Sequence, residues 1–222
     1  MGIISIENTD HLYWLGRYIE RVGTTIELFA ENYDYTLDSG IGRYDEFCQK
    51  LDIPNIYTSR EHFIKEYCFG SEDPNSIWSN LMRAYDNAVV LREEISSEAL
   101  SYIQLAVYAL NKARESTSPM IELQEVVDNL LAFWGLTDDC IDDENTRNII
   151  KIGKRVERLD LYARLHMPRT EMLRAVHRLA GRIVRTNLSY NTSRLAELHT
   201  LAEAEDIDYR KIVTAVENLL EE

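Results

Sequence analysis

Leu12-Tyr13-Trp14-Leu15-Gly16-Arg17-Tyr18-Ile19-Glu20-Arg21-Val22-Gly23 is the stretch on which the reading of this chain turns. Leu12, Leu15, Ile19 and Val22 fall at alternating spacings of three and four, and Ile26, Phe29 and Tyr33 continue the series. Apolar residues at that period form one stripe on an α-helix, the seam along which it packs lengthwise on neighbours. Beside the seam, Gly16, Gly23 and Ala30 recur every seven residues. Glycine inside a helix costs about 1 kcal/mol relative to alanine, so two on one stripe predict a close approach by another helix or a ligand. Tyr13, Glu20 and Glu27 lie on the next stripe, and Arg17 and Arg21 flank Glu20. Glu20 is therefore expected at the edge of the seam, away from the fully solvated side.

The arrangement returns 137 residues later, where Ile152-Gly153-Lys154-Arg155-Val156-Glu157-Arg158 aligns with Leu15-Gly16-Arg17-Tyr18-Ile19-Glu20-Arg21. The matched classes are aliphatic, glycine and basic, followed by aliphatic-Glu-Arg, and Ile149, Ile152, Val156 and Leu159 supply a second seam. A duplication of this kind predicts two equivalent helices about a pseudo-twofold axis, with Glu20 and Glu157 brought into one shared site. Two readings stand. The Glu and Arg side chains can form surface pairs worth a few tenths of a kcal/mol. Alternatively, the Glu–Arg units hold a polar ligand or a partner at the bundle interior, because a semi-buried carboxylate needs a cation and arginine matches it geometrically.

Working outward, proline and glycine are sparse (4 and 9 of 222 residues) and helical spacing dominates throughout. Helices are expected from the cap candidates Asn8, Thr9 or Asp10 to about Tyr35, then, after a turn at Ser39-Gly40, over about 44–51 and 60–67. Asp73-Pro74-Asn75-Ser76 starts a segment reaching about Glu93, and another runs from about Ser97 to Glu115. Ser118-Pro119 opens a helix ending near Gly135 or Cys140. After an acidic loop, Thr137–Asn145, come helices to about Leu165 and from Pro168 to about Leu188. A polar helical tail follows. The expectation is an all-α bundle of about seven to nine helices in the whole chain, with the two Glu–Arg helices central and adjacent, divided into a bundle over 1–188 and a helical C-terminal arm over 189–222.

Net charge is −14, from 24 basic and 38 acidic residues, which argues against a general nucleic-acid binder. The balance is uneven. Residues 147–185 hold eleven Lys or Arg against three acids, a local excess of eight. Arg174, Arg178, Arg182 and Arg185 fall on one helix face, which reads as a solvated face, as a docking face for an acidic partner or anion, or as an RNA (tRNA) contact. Cys48, Cys68 and Cys140 are odd in number with no C-x-x-C pair, and the start Met1–Ile6 carries no signal-peptide pattern. A reduced, soluble, cytoplasmic protein is expected. None of the five histidines has a Glu three residues before it, so no carboxylate-bridged metal site is expected, nor one of zinc spacing. Trp14, Trp78 and Trp134 read as core or packing anchors.

The opening Asn8-Thr9-Asp10-His11-Leu12-Tyr13-Trp14-Leu15-Gly16-Arg17-Tyr18-Ile19-Glu20-Arg21 resembles the first signature of the bacterial alpha-E proteins, and Ile152–Asp160 resembles the second. Between them Pro74–Ile77, Asn87-Ala88, Arg92-Glu93 and Ile95–Glu98 resemble the family's central motif, with departures at Tyr85, Val89, Leu100 and Gln104. The resemblance covers about residues 8 to 166. It implies a partner role, because such proteins tend to be encoded beside, or fused to, circularly permuted ATP-grasp enzymes. That context suggests ATP-dependent amide-bond formation on a peptide or amino acid. This chain has no phosphate loop of its own, so ATP and Mg would belong to the partner. The candidate binding residues are Tyr13, Arg17, Glu20, Arg21, Glu27, Arg92, Glu98, Lys154, Glu157 and Arg158. A second hypothesis makes the chain a stand-alone peptide-modifying enzyme with Glu20 or Glu157 as general base. A third makes it a structural scaffold.

Overall fold

The computed structural model describes residues 5–39 and 44–220, with only the backbone path for residue 6 and for 34–39. Gly40 of the expected turn and the first four residues lie outside the described residues. The chain is all-α: α1 (Ile6–Ser39), α2 (Tyr44–Leu51), α3 (Arg60–Phe69), α4 (Ile77–Val90), α5 (Arg92–Ile95), α6 (Ser97–Glu115), α7 (Pro119–Asp139), α8 (Glu144–Arg164), α9 (Arg169–Ile183), α10 (Thr192–Glu203) and α11 (Tyr209–Glu217). Eleven helices among the described residues exceed the expected seven to nine. One reason is a break after α4: Leu91 leaves helical geometry at φ −91°, ψ 11°, and splits off the one-turn α5.

Side-chain caps set most of the starts. Ser59, Ser76, Ser96, Asp143, Asn191 and Asp208 each accept a hydrogen bond from the backbone N–H three residues on, and Pro119 opens α7. Asp73, in the expected start signal, instead fixes the preceding turn: it accepts from the Tyr57 hydroxyl at 2.6 Å and from the Asn75 N–H at 2.9 Å. At the other ends α1 runs on to Ser39, α7 takes in Thr137 to Asp139, and α9 stops at Ile183, short of Leu188.

α1, about 50 Å long at 1.5 Å per residue, is the spine, and its most extensive partner is α8. The two helices run in the same direction. Gly16 lies against Ile150 near one end, and further along both chains Arg21 and Thr25 line one small recess with Leu161. Their seams face different cores. Leu12, Leu15, Ile19, Val22, Ile26 and Phe29 are buried in a first cluster with α2 to α7. Ile152, Val156, Leu159 and Ala163 are buried in a second with α9 to α11, whereas Ile149, expected on that second seam, joins the first. The polar tail completes the second core through Leu198, Ala202, Ile212, Ala215, Val216 and Leu219. All three cysteines are free, with Cys48 and Cys68 buried. No described helix is long and apolar enough to cross a membrane.

Candidate functional site: a Glu–Arg clasp between two helices

The close approach begins at two glycines. A methyl group added at Gly16 would overlap the Ile150 carbonyl oxygen, and one added at Gly153 would overlap that of Tyr13. Gly153 stands 137 residues after Gly16 and Tyr13 stands 137 residues before Ile150, so the second contact is the first with the two repeats exchanged. Only glycine permits backbones to meet this way. Gly23, expected to share that role, has no neighbour within 4 Å of where its Cβ would be, because the crossing lies one heptad earlier.

At that separation, side chains reach across more readily than along their own helix. The Arg17 Nε donates to Glu157 Oε2 at 2.7 Å, and Arg21 Nε donates to the other oxygen, Glu157 Oε1. Symmetrically, Arg158 Nε donates to Glu20 Oε1, with Lys154 Nζ 4.0 Å from Glu20 Oε2. Each glutamate is held by the basic pair of the other repeat, whereas the sequence places Arg17 and Arg21 around Glu20. Helical side chains lean towards the N-terminus, so Arg17 lies back over Tyr13 and Trp14, with its guanidinium 5.0 Å from the Trp14 ring centroid. Glu20 and Glu157 are 4% and 1% exposed, which makes these buried ion pairs.

The two carboxylates do not share a site. Glu157 lies with Tyr13, Arg17, Arg21 and Asp160, and Glu20 with Glu27, Lys154 and Arg158. Among the described residues no side chain pairs with both. Asp160, 1% exposed, occupies the repeat position of Gly23; it accepts from Arg164 Nε at 3.0 and 3.1 Å and has Arg21 Nη2 at 3.8 Å. Arg164 continues to Glu217 at 2.9 Å and Asp52 at 3.2 Å, tying α11 and the end of α2 to α8. Neither Asp160 nor Arg164 stood out in the sequence. The available signal was the Leu159-Asp160 that follows the second Glu-Arg pair where Val22-Gly23 follows the first.

Burial pushes the Asp160 carboxyl and the Tyr13 phenol up, the latter against the pull of Arg17, so Tyr13 keeps its proton. Burial, the largest single influence on Arg17 and Arg158, opposes their charge, yet both are raised, Arg17 by Glu157, Tyr13 and Asp160 together and Arg158 by Glu20, Tyr162 and Glu27 together. Lys154 goes the other way. Burial, only partly offset by Glu20 and reinforced by Arg158, Arg155 and Lys151, pushes its ammonium down to about 8. Its Nζ lies 3.9 Å from the centroid of Trp134.

Of the remaining sequence candidates, Glu27 is exposed beside Glu20 and Arg158, and its carboxyl is raised by partial burial and then by Glu20. Among the described residues Arg92 pairs with its neighbour Glu93 on the surface, and Glu98 is exposed in the first turn of α6; neither joins the clasp. The central block is tied to α1 by other residues: Asn8 Nδ2 donates to Glu94 Oε1 at 2.5 Å, and His11 Nδ1 meets Asn87 Oδ1 at 2.6 Å. The core role expected for Trp14 does not hold. It is 41% exposed, stacked on Tyr18 at 5.5 Å, because its position faces outward from the seam. The recess lined by Arg21, Thr25, Leu51, Ile53, Tyr67, Asn75 and Leu161 has room for about one water molecule.

A family model described as a predicted alpha-helical domain with a conserved ER motif matches residues 8–194. Comparisons with curated proteins and with solved structures gave no match. The matched span contains both Glu20-Arg21 and Glu157-Arg158, the two halves of the clasp.

Proposed function

The chain belongs to the Alpha-E family, and from that premise we propose that it is a helical partner module for an ATP-dependent amide ligase, with no chemistry of its own. The observation that carries this is the state of the two ER glutamates: each is buried and committed to two cations of the opposite repeat. A general base must reach a substrate proton within hydrogen-bond distance, and these carboxylates are buried inside a helix crossing, Glu157 accepting from a guanidinium at each oxygen and Glu20 from Arg158 at one, with Lys154 4.0 Å from the other, which leaves little room for such an approach. The motif's work is then to lock two helices, and through them two cores, into one presenting surface. The nature of the partner rests on the resemblance: circularly permuted ATP-grasp enzymes that form amide bonds on peptides or amino acids, with ATP and Mg bound by the partner.

The test is reconstitution. The purified chain is incubated with candidate peptides, amino acids and ATP, alone and with a circularly permuted ATP-grasp ligase, and amide product is followed by mass spectrometry. Product only from the pair supports the module. Turnover by the chain alone, abolished by Glu20→Gln or Glu157→Gln in a folded variant, would replace it with the enzyme reading.

A further inference from the structure

Away from the clasp, two rows of basic side chains face each other along the contact between α8 and α9. Arg147, Lys151 and Arg155 follow one another at steps of four on α8; Arg178 and Arg182 stand on α9 and Arg185 just beyond its end. The antiparallel register is pinned by Asn148, which accepts from Arg182 Nη1 at 2.7 Å and donates through Nδ2 to the Arg185 carbonyl at 3.4 Å. Arg182 is thus level with Lys151, and Arg178 with Arg155. The rows lie within one another's fields. Burial, then Arg158, Arg178 and Arg182 hold the Arg155 guanidinium below its usual range against the pull of Glu20, and burial, Arg185 and Arg147 do the same to Arg182 against Glu144.

Counter-charge is scarce. Asp138 takes Lys151, and Arg147 donates to the carbonyls of Ile141 and Asp142. Among the described residues Arg155, Arg178, Arg182 and Arg185 make no ion pair. Assembling like charges without compensation destabilises a fold, so a groove of this kind gains from an external anion. Two features select its class. Successive cations in a row stand about 6 Å apart along the helix, close to the roughly 7 Å between alternate side chains of an extended peptide. Neither 147–158 nor 175–185 contains Phe, Tyr or Trp on which bases could stack.

We infer that the α8–α9 groove docks an acidic, extended peptide segment of a partner protein, whose alternate carboxylates pair with the guanidinium groups of Arg155, Arg178, Arg182 and Arg185. This surface is read from its own charges and does not depend on the partner being a ligase.

The experiment is fluorescence anisotropy of the full chain with a labelled octaglutamate peptide, and separately with labelled octauridylate, at low and at physiological salt. Saturable binding of octaglutamate that weakens with salt and falls about tenfold or more in Arg155→Gln/Arg178→Gln is the expected result. Lys211→Gln, outside the two basic rows and paired with Asp208, leaves it unchanged. Because Arg178 is exposed, Arg178→Gln alone keeps the fold and should weaken binding in the same direction. Absence of octaglutamate binding, equal binding by the folded double variant, or tighter binding of octauridylate would each overturn the proposal, the last in favour of an RNA contact.

Discussion

The two flanks of the α1–α8 crossing carry matching Glu–Arg motifs and differ in what surrounds them. Around Glu157 both cations are arginines, Arg17 stands at 2.7 Å, and Asp160 with Arg164 extends the pairing to α2 and α11. Around Glu20 one cation is Lys154 at 4.0 Å, the position equivalent to Asp160 is Gly23 with open space beside it, and the position equivalent to Arg164 is Glu27, an exposed like charge. The first flank is a closed network of fully paired charges. The second keeps the pair but omits the frame around it. The two flanks share the crossing geometry and differ at three equivalent positions, 17/154, 23/160 and 27/164, in how many charges frame the central pair.

That contrast is open to direct attack. Breaking a buried ion pair by removing one partner costs about 3–5 kcal/mol, and Glu157→Gln is expected in that range by urea unfolding because it strands Arg17 and Arg21 beside Asp160. Glu20→Gln should cost less, about 1–3 kcal/mol, since Lys154 can shed its proton and Arg158 is partly solvated. Equal losses would erase the difference between the flanks. Next come the crossing glycines: Gly16→Ala and Gly153→Ala each force a methyl into a carbonyl oxygen and should destabilise by about 1–3 kcal/mol, by similar amounts for the two. Gly23→Ala should instead stabilise by about 0.5–1 kcal/mol, as a helical glycine with empty space around it. A destabilising Gly23→Ala would mean that the Glu20 flank is tighter than described.

The contrast also carries a pH dependence. In the fold Lys154 is pushed down to about 8 from its ordinary 10.5, so between those values the unfolded chain binds the extra proton. Lys154 by itself therefore makes stability rise with pH across that window. Unfolding free energies of the parent chain and of Lys154→Met, compared at pH 8 and pH 10, should show the parent gaining on the variant as pH rises. A constant difference would place Lys154 in an ordinary solvated environment.

Much of this architecture is legible in the residues. The three-four spacing from Leu12 to Phe29 sets the spine, and the 137-residue offset marks the second helix and its adjacency. What the sequence leaves open is whichever contact a local alternative imitates. Arg17 and Glu20 are three apart, a good same-helix pair, so nothing in the order of residues says that each prefers the opposite repeat. Gly16 and Gly23 look equivalent on one stripe, yet only the crossing point, set by packing of both cores, tells them apart. The polar tail looks peripheral because its two helices are short and give the core only a few buried apolar residues, Leu198 and Ala202 from one and Ile212, Ala215 and Val216 from the other, among many polar ones.

The exchange of partners across the crossing is best tested by double-mutant cycles on stability. Arg17→Gln with Glu157→Gln should show a coupling energy of about 1–3 kcal/mol, whereas Arg17→Gln with Glu20→Gln, the same-helix pair, should be additive within about 0.5 kcal/mol. Strong coupling of Arg17 to Glu20 and none to Glu157 would mean that the clasp does not exist.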